Sequence, residues 1–230
     1  MKRAFPILGI LTAILLSYAL YEALVAAPTE RTMGDVQRIF YYHVSSAWTA
    51  FLLFFVNFVA SVVYLVRRSA KADMVALVAA EVGVVFCAVV LVTGPIWARP
   101  VWGIWWAPGD IRLNSTLVLE LIYVSYLILR RFSTSGQTPL IAAALAVFGA
   151  LDVPLVYFSI WYFRTQHPQP VIGGGGSIDP RMMHVLLINW VAFMCFAFLV
   201  CWSRYRLERL RREVEEMAAL ESMLEARSGR

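Results

Sequence analysis

The chain has 230 residues, of which 60% are apolar and only 15% are charged, and its mean hydropathy is +0.69. In soluble domains roughly a quarter of the residues are charged, so this composition excludes an ordinary soluble fold and indicates an integral membrane protein. The net charge of +5 does not indicate nucleic-acid binding, because the basic residues flank apolar runs and form no stripe with polar base-reading residues. The three cysteines form no C-x-x-C pair and are interpreted as small buried hydrophobic residues.

Six apolar runs predict an all-α polytopic membrane protein with six transmembrane helices. The first run resembles a signal peptide, but its roughly 20 apolar residues exceed the usual length of that region, and we expect it to be retained as a helix. We expect the third helix to end at the Gly94-Pro95 pair and the fifth to kink at Pro154. The six runs cover about residues 5–27, 39–66, 74–96, 115–129, 139–163 and 181–202.

Basic residues are concentrated at one end of the predicted bundle, which fixes its orientation by the positive-inside rule. These residues are Lys2, Arg3, Arg67, Arg68, Lys71, Arg130, Arg131 and the seven arginines after position 203. Both termini are therefore predicted to be cytoplasmic. The region 41–43, the connection 95–114 and the loop with Gly173–Gly176 are predicted to lie on the outer face.

The chain divides into a six-helix membrane domain, residues 1–203, and a charged tail, residues 204–230. Leu207, Leu210, Val214 and Met217 follow a helical spacing in this tail, which predicts an amphipathic helix that continues the last span. It is either a solvated extension or a docking helix for a cytoplasmic partner, and the sequence leaves both open.

Four of the eight tryptophans, at positions 97, 102, 105 and 106, fall in the connection between helices 3 and 4. The spacing of Trp102, Trp105 and Trp106 would place them on one face of a short helix. One interpretation is an aromatic belt at the membrane interface. The other is a flat apolar surface, edged with indole N–H groups, that binds a planar ligand.

All three histidines lie on the predicted outer side. His43 is near the outer end of helix 2, His184 is at the outer start of helix 6, and His167 is in the loop between helices 5 and 6. Each histidine could make structural hydrogen bonds. Ionisable residues close to the membrane are energetically costly, however, and this favours a functional role. Two imidazoles that flank an aromatic surface, His43 and His184, suit the two axial positions of a six-coordinate iron. The sequence leaves the role of His167 open.

Asp110 and Arg112 close the tryptophan-rich stretch. They form either a helix N-terminal turn with a surface ion pair, or a functional pair in which Asp110 orients the loop or a bound polar group. Arginines bind carboxylates, so a ligand with an apolar body and two carboxylates, such as haem, suits this face. Its arginines include Arg38, Arg99, Arg112 and Arg181.

The segment from Trp102-Gly103-Ile104-Trp105-Trp106 to Asp110-Ile111-Arg112-Leu113 resembles the tryptophan-rich "WWD" signature of haem-handling membrane proteins. With six predicted spans and a histidine on each side of the signature, the chain is most similar to the cytochrome c maturation protein C (CcmC) family. The segment 38–48 around His43 resembles that family's first-histidine segment. The family pattern has an aromatic residue before the aspartate, whereas Ala107-Pro108-Gly109 stands here.

The resemblance implies that haem b is held transiently on the outer face of a bacterial inner membrane. It implies His43 and His184 as axial ligands, with Trp102, Trp105, Trp106 and Asp110 as the signature residues. Their position on the predicted outer face adds Trp97, Arg112 and Arg38 as further candidates for binding. Haem would then pass to the periplasmic chaperone CcmE, beside the transporter subunits CcmA and CcmB and the small helper CcmD. This is a binding and delivery role, not enzyme catalysis. The alternatives are a haem–cytochrome c synthase, which is usually a larger protein, a haem permease subunit and a b-type electron carrier.

Overall fold

The computed structural model describes residues 4–163, 165–170 and 177–228, and these form helices and loops without a named strand. The all-α prediction is therefore confirmed for this part of the chain. Predicted features at Lys2, Arg3, Gly173–Gly176 and Arg230 lie outside the described residues. The helices are α1 (Ala4–Tyr21, continued by a π-helical turn, Glu22–Ala26), α2 (Ile39–Arg67, after a 3₁₀ turn, Asp35–Arg38), α3 (Ala70–Trp102), α4 (Ile111–Phe132), α5 (Thr138–Ala150), α6 (Asp152–Tyr162) and α7 (Pro180–Ser228).

Six helical segments of the described chain are long and apolar enough to cross a membrane, as predicted. Helices α5 and α6 together make the fifth segment, residues 138–162. The break between them falls at Leu151, three residues before Pro154. Proline has no N–H, so the Ala150 carbonyl loses its helical partner there, and the predicted kink becomes a break between two helices.

The core of the bundle is the α2–α3 hairpin, against which α4, α5 and α7 pack. At its centre the rings of Phe54 and Tyr123 stack with centroids 3.9 Å apart and an interplanar angle of 8°. A Cβ atom added to Gly83 would lie 2.7 Å from Phe54, so this glycine allows the close approach of α2 and α3. Small residues at such contacts are typical of helices that associate in lipid, where close packing replaces the hydrophobic effect.

Helix α3 is longer than predicted, and its true end determines which of the tryptophans are helical. The helix continues through Pro95 and Pro100 and ends at Trp102, not near Ile96. Each of these prolines removes the hydrogen bond to the carbonyl four residues earlier, that of Leu91 or of Ile96, a loss that membrane helices tolerate. The helix stops at Gly103, whose φ of 77° is a left-handed conformation that glycine adopts without strain.

Helix α7 runs without interruption from the last span into the tail, so the predicted boundary at residue 204 coincides with no break. Ion pairs hold the first turns of the tail against the base of the bundle: Arg204 pairs with Glu81 at 2.9 Å and Arg212 with Asp73 at 2.8 Å. Asp73 also pairs with Arg130 at the end of α4. The predicted stripe of Leu207, Leu210, Val214 and Met217, which begins between these two arginines and continues beyond them, is exposed.

Candidate functional site

A large cavity opens at the end of the bundle that is predicted to face outward. Its volume is about 1090 Å³. Its walls come from α2, α3, α4, α6, the beginning of α7 and the loops between them. The aromatic residues of these walls are Phe40, Trp48, Phe51, Trp97, Trp102, Trp106, Tyr157 and Trp190. This is the arrangement of a binding site for a large ligand with an apolar body.

Two imidazole rings, those of His43 and His167, meet across this cavity. Their centroids are 6.3 Å apart, with an angle of 32° between the ring planes. A metal–imidazole bond is about 2 Å long, so two rings on opposite sides of one metal ion have centroids roughly 6 Å apart. The observed separation therefore matches two ligands of one metal centre.

His43, in the second turn of α2, is oriented by a hydrogen bond to Thr93 on α3. Its Nδ1 lies 2.9 Å from the Thr93 hydroxyl oxygen. Because the Thr93 hydroxyl donates its own proton to the Val89 carbonyl, it accepts from His43, and the imidazole carries its proton on Nδ1. The lone pair of Nε2 is then free to bind a metal.

His167 is in the same tautomeric state for a different reason. Its Nδ1 lies 3.0 Å from the carbonyl oxygen of Pro168, which can only accept a hydrogen bond. Burial in the cavity wall and the positive charge of Arg112 lower the pKa of His167 from 6.5 to about 4. The ring is therefore neutral at pH 7, with Nε2 as an unprotonated donor, which is the form that ligates iron.

His184, the predicted partner of His43, does not lie on the cavity wall. Residues 182, 185, 186 and 189 form the buried face of α7, and His184 is on the exposed side of that helix. The helical period of 3.6 residues gives the reason, since position 184 points away from the face that packs on the bundle. The structure thus brings His43 together with His167 and not with His184.

The tryptophans divide into a lining group and an exposed one. Trp97 and Trp102, on the last turns of α3, line the cavity and pack edge to face with centroids 5.1 Å apart. Trp106 also lines it, and its indole N–H donates to Asn114 at 3.2 Å. Trp105 is 59% exposed and lies off the wall. The predicted single helical face is wrong, because α3 ends at Trp102 and Trp105 and Trp106 follow in a loop.

The arginines divide in the same way. Arg112 lines the cavity in the first turn of α4 and donates to the Tyr157 carbonyl at 3.4 Å. Arg31 and Arg181 lie at the same cavity. Arg38 lies off the wall, and its guanidinium is occupied by Asp35 at 3.0 Å and by the Ala23 carbonyl at 2.9 Å. This arginine braces the outer loop.

Asp110 is buried at the start of α4, and it too lies off the cavity wall. The turn Ala107-Pro108-Gly109-Asp110 closes with a 3.0 Å backbone bond, so the departure from the family pattern forms a β-turn. This turn places Asp110 at the N-cap, where its carboxylate accepts from the Leu113 N–H at 3.1 Å. Asn114, one turn later, holds the turn by donating to the Pro108 carbonyl at 2.6 Å.

Sequence reasoning did not find the roles of His167, Thr93 and Asn114. His167 was visible as a histidine on the correct side, but only tertiary structure places it beside His43. The Thr93–His43 contact joins residues 50 positions apart. A threonine before a Gly-Pro pair gives no local signal for such a contact.

A family model described as CcmC, heme exporter protein C, matches residues 1–220. The chain belongs to the heme exporter protein C family. It is 34% identical to the heme exporter protein C of Bradyrhizobium diazoefficiens, over 96% of this chain and 84% of the relative. It is 31% identical to that of Escherichia coli K12, over 90% and 82%. A putative cytochrome c biosynthesis ccmC-like mitochondrial protein of Marchantia polymorpha is 30% identical, over 78% and 76%.

Proposed function

We propose that this multi-pass membrane protein binds haem in the outer cavity, with His43 and His167 as the two axial ligands. The observation that carries the proposal is the pair of imidazoles 6.3 Å apart, each with Nδ1 engaged by a hydrogen-bond partner. Each ring presents Nε2, and the planar macrocycle of haem supplies the other four ligands of a six-coordinate iron. This pair replaces the pair of His43 and His184 predicted from the sequence.

The remaining walls suit the rest of a haem molecule. The rings of Trp97, Trp102 and Trp106 offer apolar surface to the macrocycle. Arg112, with Arg31 and Arg181, supplies positive charge for the two carboxylates. Drug-sized ligands occupy pockets of about 300–1,000 Å³, so a cavity of about 1090 Å³ has room for haem.

The bound group is haem b, held transiently for delivery in cytochrome c maturation. The sequence contains no C-x-x-C-H segment for covalent attachment. Haem held by two histidine–iron bonds and by apolar contacts can pass to another protein that offers equivalent contacts. In this proposal the chain acts as a haem-transfer protein.

Family membership supports a location in a bacterial inner membrane. It also supports the haem chaperone CcmE as the recipient of haem, and CcmA, CcmB and CcmD as further partners. Trp105 and Ile104, exposed beside the cavity by 59% and 40%, provide an apolar surface to which the recipient could dock. A contact here would place the recipient at the mouth of the cavity.

The test is a visible spectrum of the full chain, purified in detergent after expression with haem. We expect a low-spin spectrum for the wild type and its loss in His43→Ala. Addition of the chaperone should transfer the haem. A wild-type chain that binds no haem, with or without the chaperone, would refute the proposal. Maturation of a cytochrome c by the chain without any chaperone would favour the synthase alternative instead.

A further inference from the structure

Asp110 is connected to the loop that carries His167, 57 positions later in the chain. One carboxylate oxygen of Asp110 accepts the N-cap bond from Leu113. The other accepts from the Thr165 hydroxyl at 2.5 Å and from the Gln166 N–H at 2.8 Å. Asp110 is only 3% exposed, so water does not compete for these hydrogen bonds.

The connection continues to His167 itself. The Thr165 hydroxyl gives its proton to Asp110, and its oxygen then accepts from the His167 N–H at 3.1 Å. A carboxylate, a hydroxyl and a backbone amide thus follow one another from the start of α4 to the histidine. Within the described residues 165–170, the hydrogen bonds to other parts of the chain all end on Asp110.

We infer that Asp110 is a positioning residue that holds His167 across the cavity from His43, and that it does not contact the ligand. The inference rests on the proposed haem-binding function and adds to it the role of the signature aspartate. The carboxylate caps α4, whose first turn also carries Arg112. One residue therefore sets the positions of a helix and of a ligand loop relative to each other.

The arrangement requires a carboxylate and not merely a polar side chain. Asp110 receives three donors, from Leu113, Thr165 and Gln166, and both of its oxygens are acceptors. An asparagine would keep one oxygen for the helix cap, but its NH₂ group would face the Gln166 N–H, donor against donor. Asp110→Asn is therefore a variant that separates the cap from the loop contact.

The experiment compares visible spectra of the full chain for the wild type, Asp110→Asn, Thr165→Val, Thr165→Ser and His167→Ala. Asp110→Asn and Thr165→Val should lower the ratio of low-spin to high-spin haem at least about ten-fold, the factor expected for a lost hydrogen bond to a charged group. Added imidazole should restore the low-spin form in both, as in His167→Ala, because His43 still binds. Thr165→Ser keeps the hydroxyl and should retain the low-spin form.

Two outcomes would overturn the inference. The first is an unchanged low-spin spectrum in Asp110→Asn. The second is loss of all haem from Asp110→Asn, without rescue by imidazole, while His167→Ala still binds haem, because Asp110 would then act on the ligand or on the cavity itself. A wild-type chain without any low-spin haem refutes the proposed function instead, so the two failures are distinguishable.

Discussion

At the scale of single residues, the site depends on the direction in which two imidazoles present their nitrogens. His43 and His167 both carry the proton on Nδ1, one because of a hydroxyl on α3 and the other because of a backbone carbonyl. Such outer hydrogen bonds fix the orientation of a metal-binding histidine and raise its basicity. Their loss should therefore weaken binding even though no ligand to the metal is removed.

Thr93 offers a direct test of this principle. In Thr93→Val the Nδ1–H of His43 loses its acceptor, and we expect haem affinity to fall about ten-fold or more. Thr93→Ser keeps the hydroxyl and is the matched control. Haem titration followed by absorbance measures both, and equal affinities in the two variants would show that the Thr93 hydroxyl does not support His43.

The lowered pKa of His167 predicts how the site responds to acid. A proton competes with iron for Nε2, and with a pKa of about 4 instead of 6.5 the ring stays unprotonated until the solution is far more acidic. The low-spin spectrum should therefore persist from pH 7.5 down to 5.5 and disappear only below about pH 4, because the bond to iron itself opposes protonation of Nε2. A spectroscopic titration with a midpoint near 6.5 would mean that burial and Arg112 do not act on this ring as described.

At the scale of elements, the sequence predicted the helices well and their ends less well. The six spans were predictable because lipid requires long apolar runs whose backbone groups bond internally, and this is a local signal. The Gly94-Pro95 pair was misleading, since in a membrane helix the proline does not end the helix and the left-handed Gly103 does. Because of that error Trp105 was assigned to the predicted flat apolar surface, although it lies in a loop and is exposed.

The start of the extension of α7 beyond the last span is held by its ion pairs with α3. Asp73 is buried, and both Arg130 and Arg212 pair with it. Asp73→Asn should lower the free energy of unfolding by roughly 3 kcal/mol, as expected when a buried ion pair loses one partner. Thermal unfolding in detergent measures this loss, and hydrogen exchange should show faster exchange of the amides of residues 204–212.

Glu215→Gln is the control for this prediction, since it removes an exposed pair with Arg211 on the same helix. Exposed pairs contribute at most about 1 kcal/mol, so this variant should unfold like the wild type. Equal stability of Asp73→Asn and Glu215→Gln would show that the extension is not anchored at Asp73.

At the scale of the whole molecule, the bundle places its binding residues at one end and its charged helix at the other. The sequence predicted the six spans, and five of the residues proposed from it for ligand binding line the cavity: His43, Trp97, Trp102, Trp106 and Arg112. It could not pair the histidines, because the loop of His167 is joined to Asp110 by hydrogen bonds between residues more than 50 positions apart, and such contacts leave no local signal in the sequence. His184 was predicted instead because it lies at the outer start of the last span, at the same expected membrane depth as His43.

In the proposed haem site, His167 and not His184 completes the pair with His43. The most direct measurement is the visible spectrum of the full chain loaded with haem in His167→Ala and His184→Ala, prepared in parallel. We predict that His167→Ala loses the low-spin spectrum and regains it with imidazole, while His184→Ala keeps the spectrum of the wild type. Loss of the low-spin spectrum in His184→Ala, with an unchanged spectrum in His167→Ala, would contradict this account.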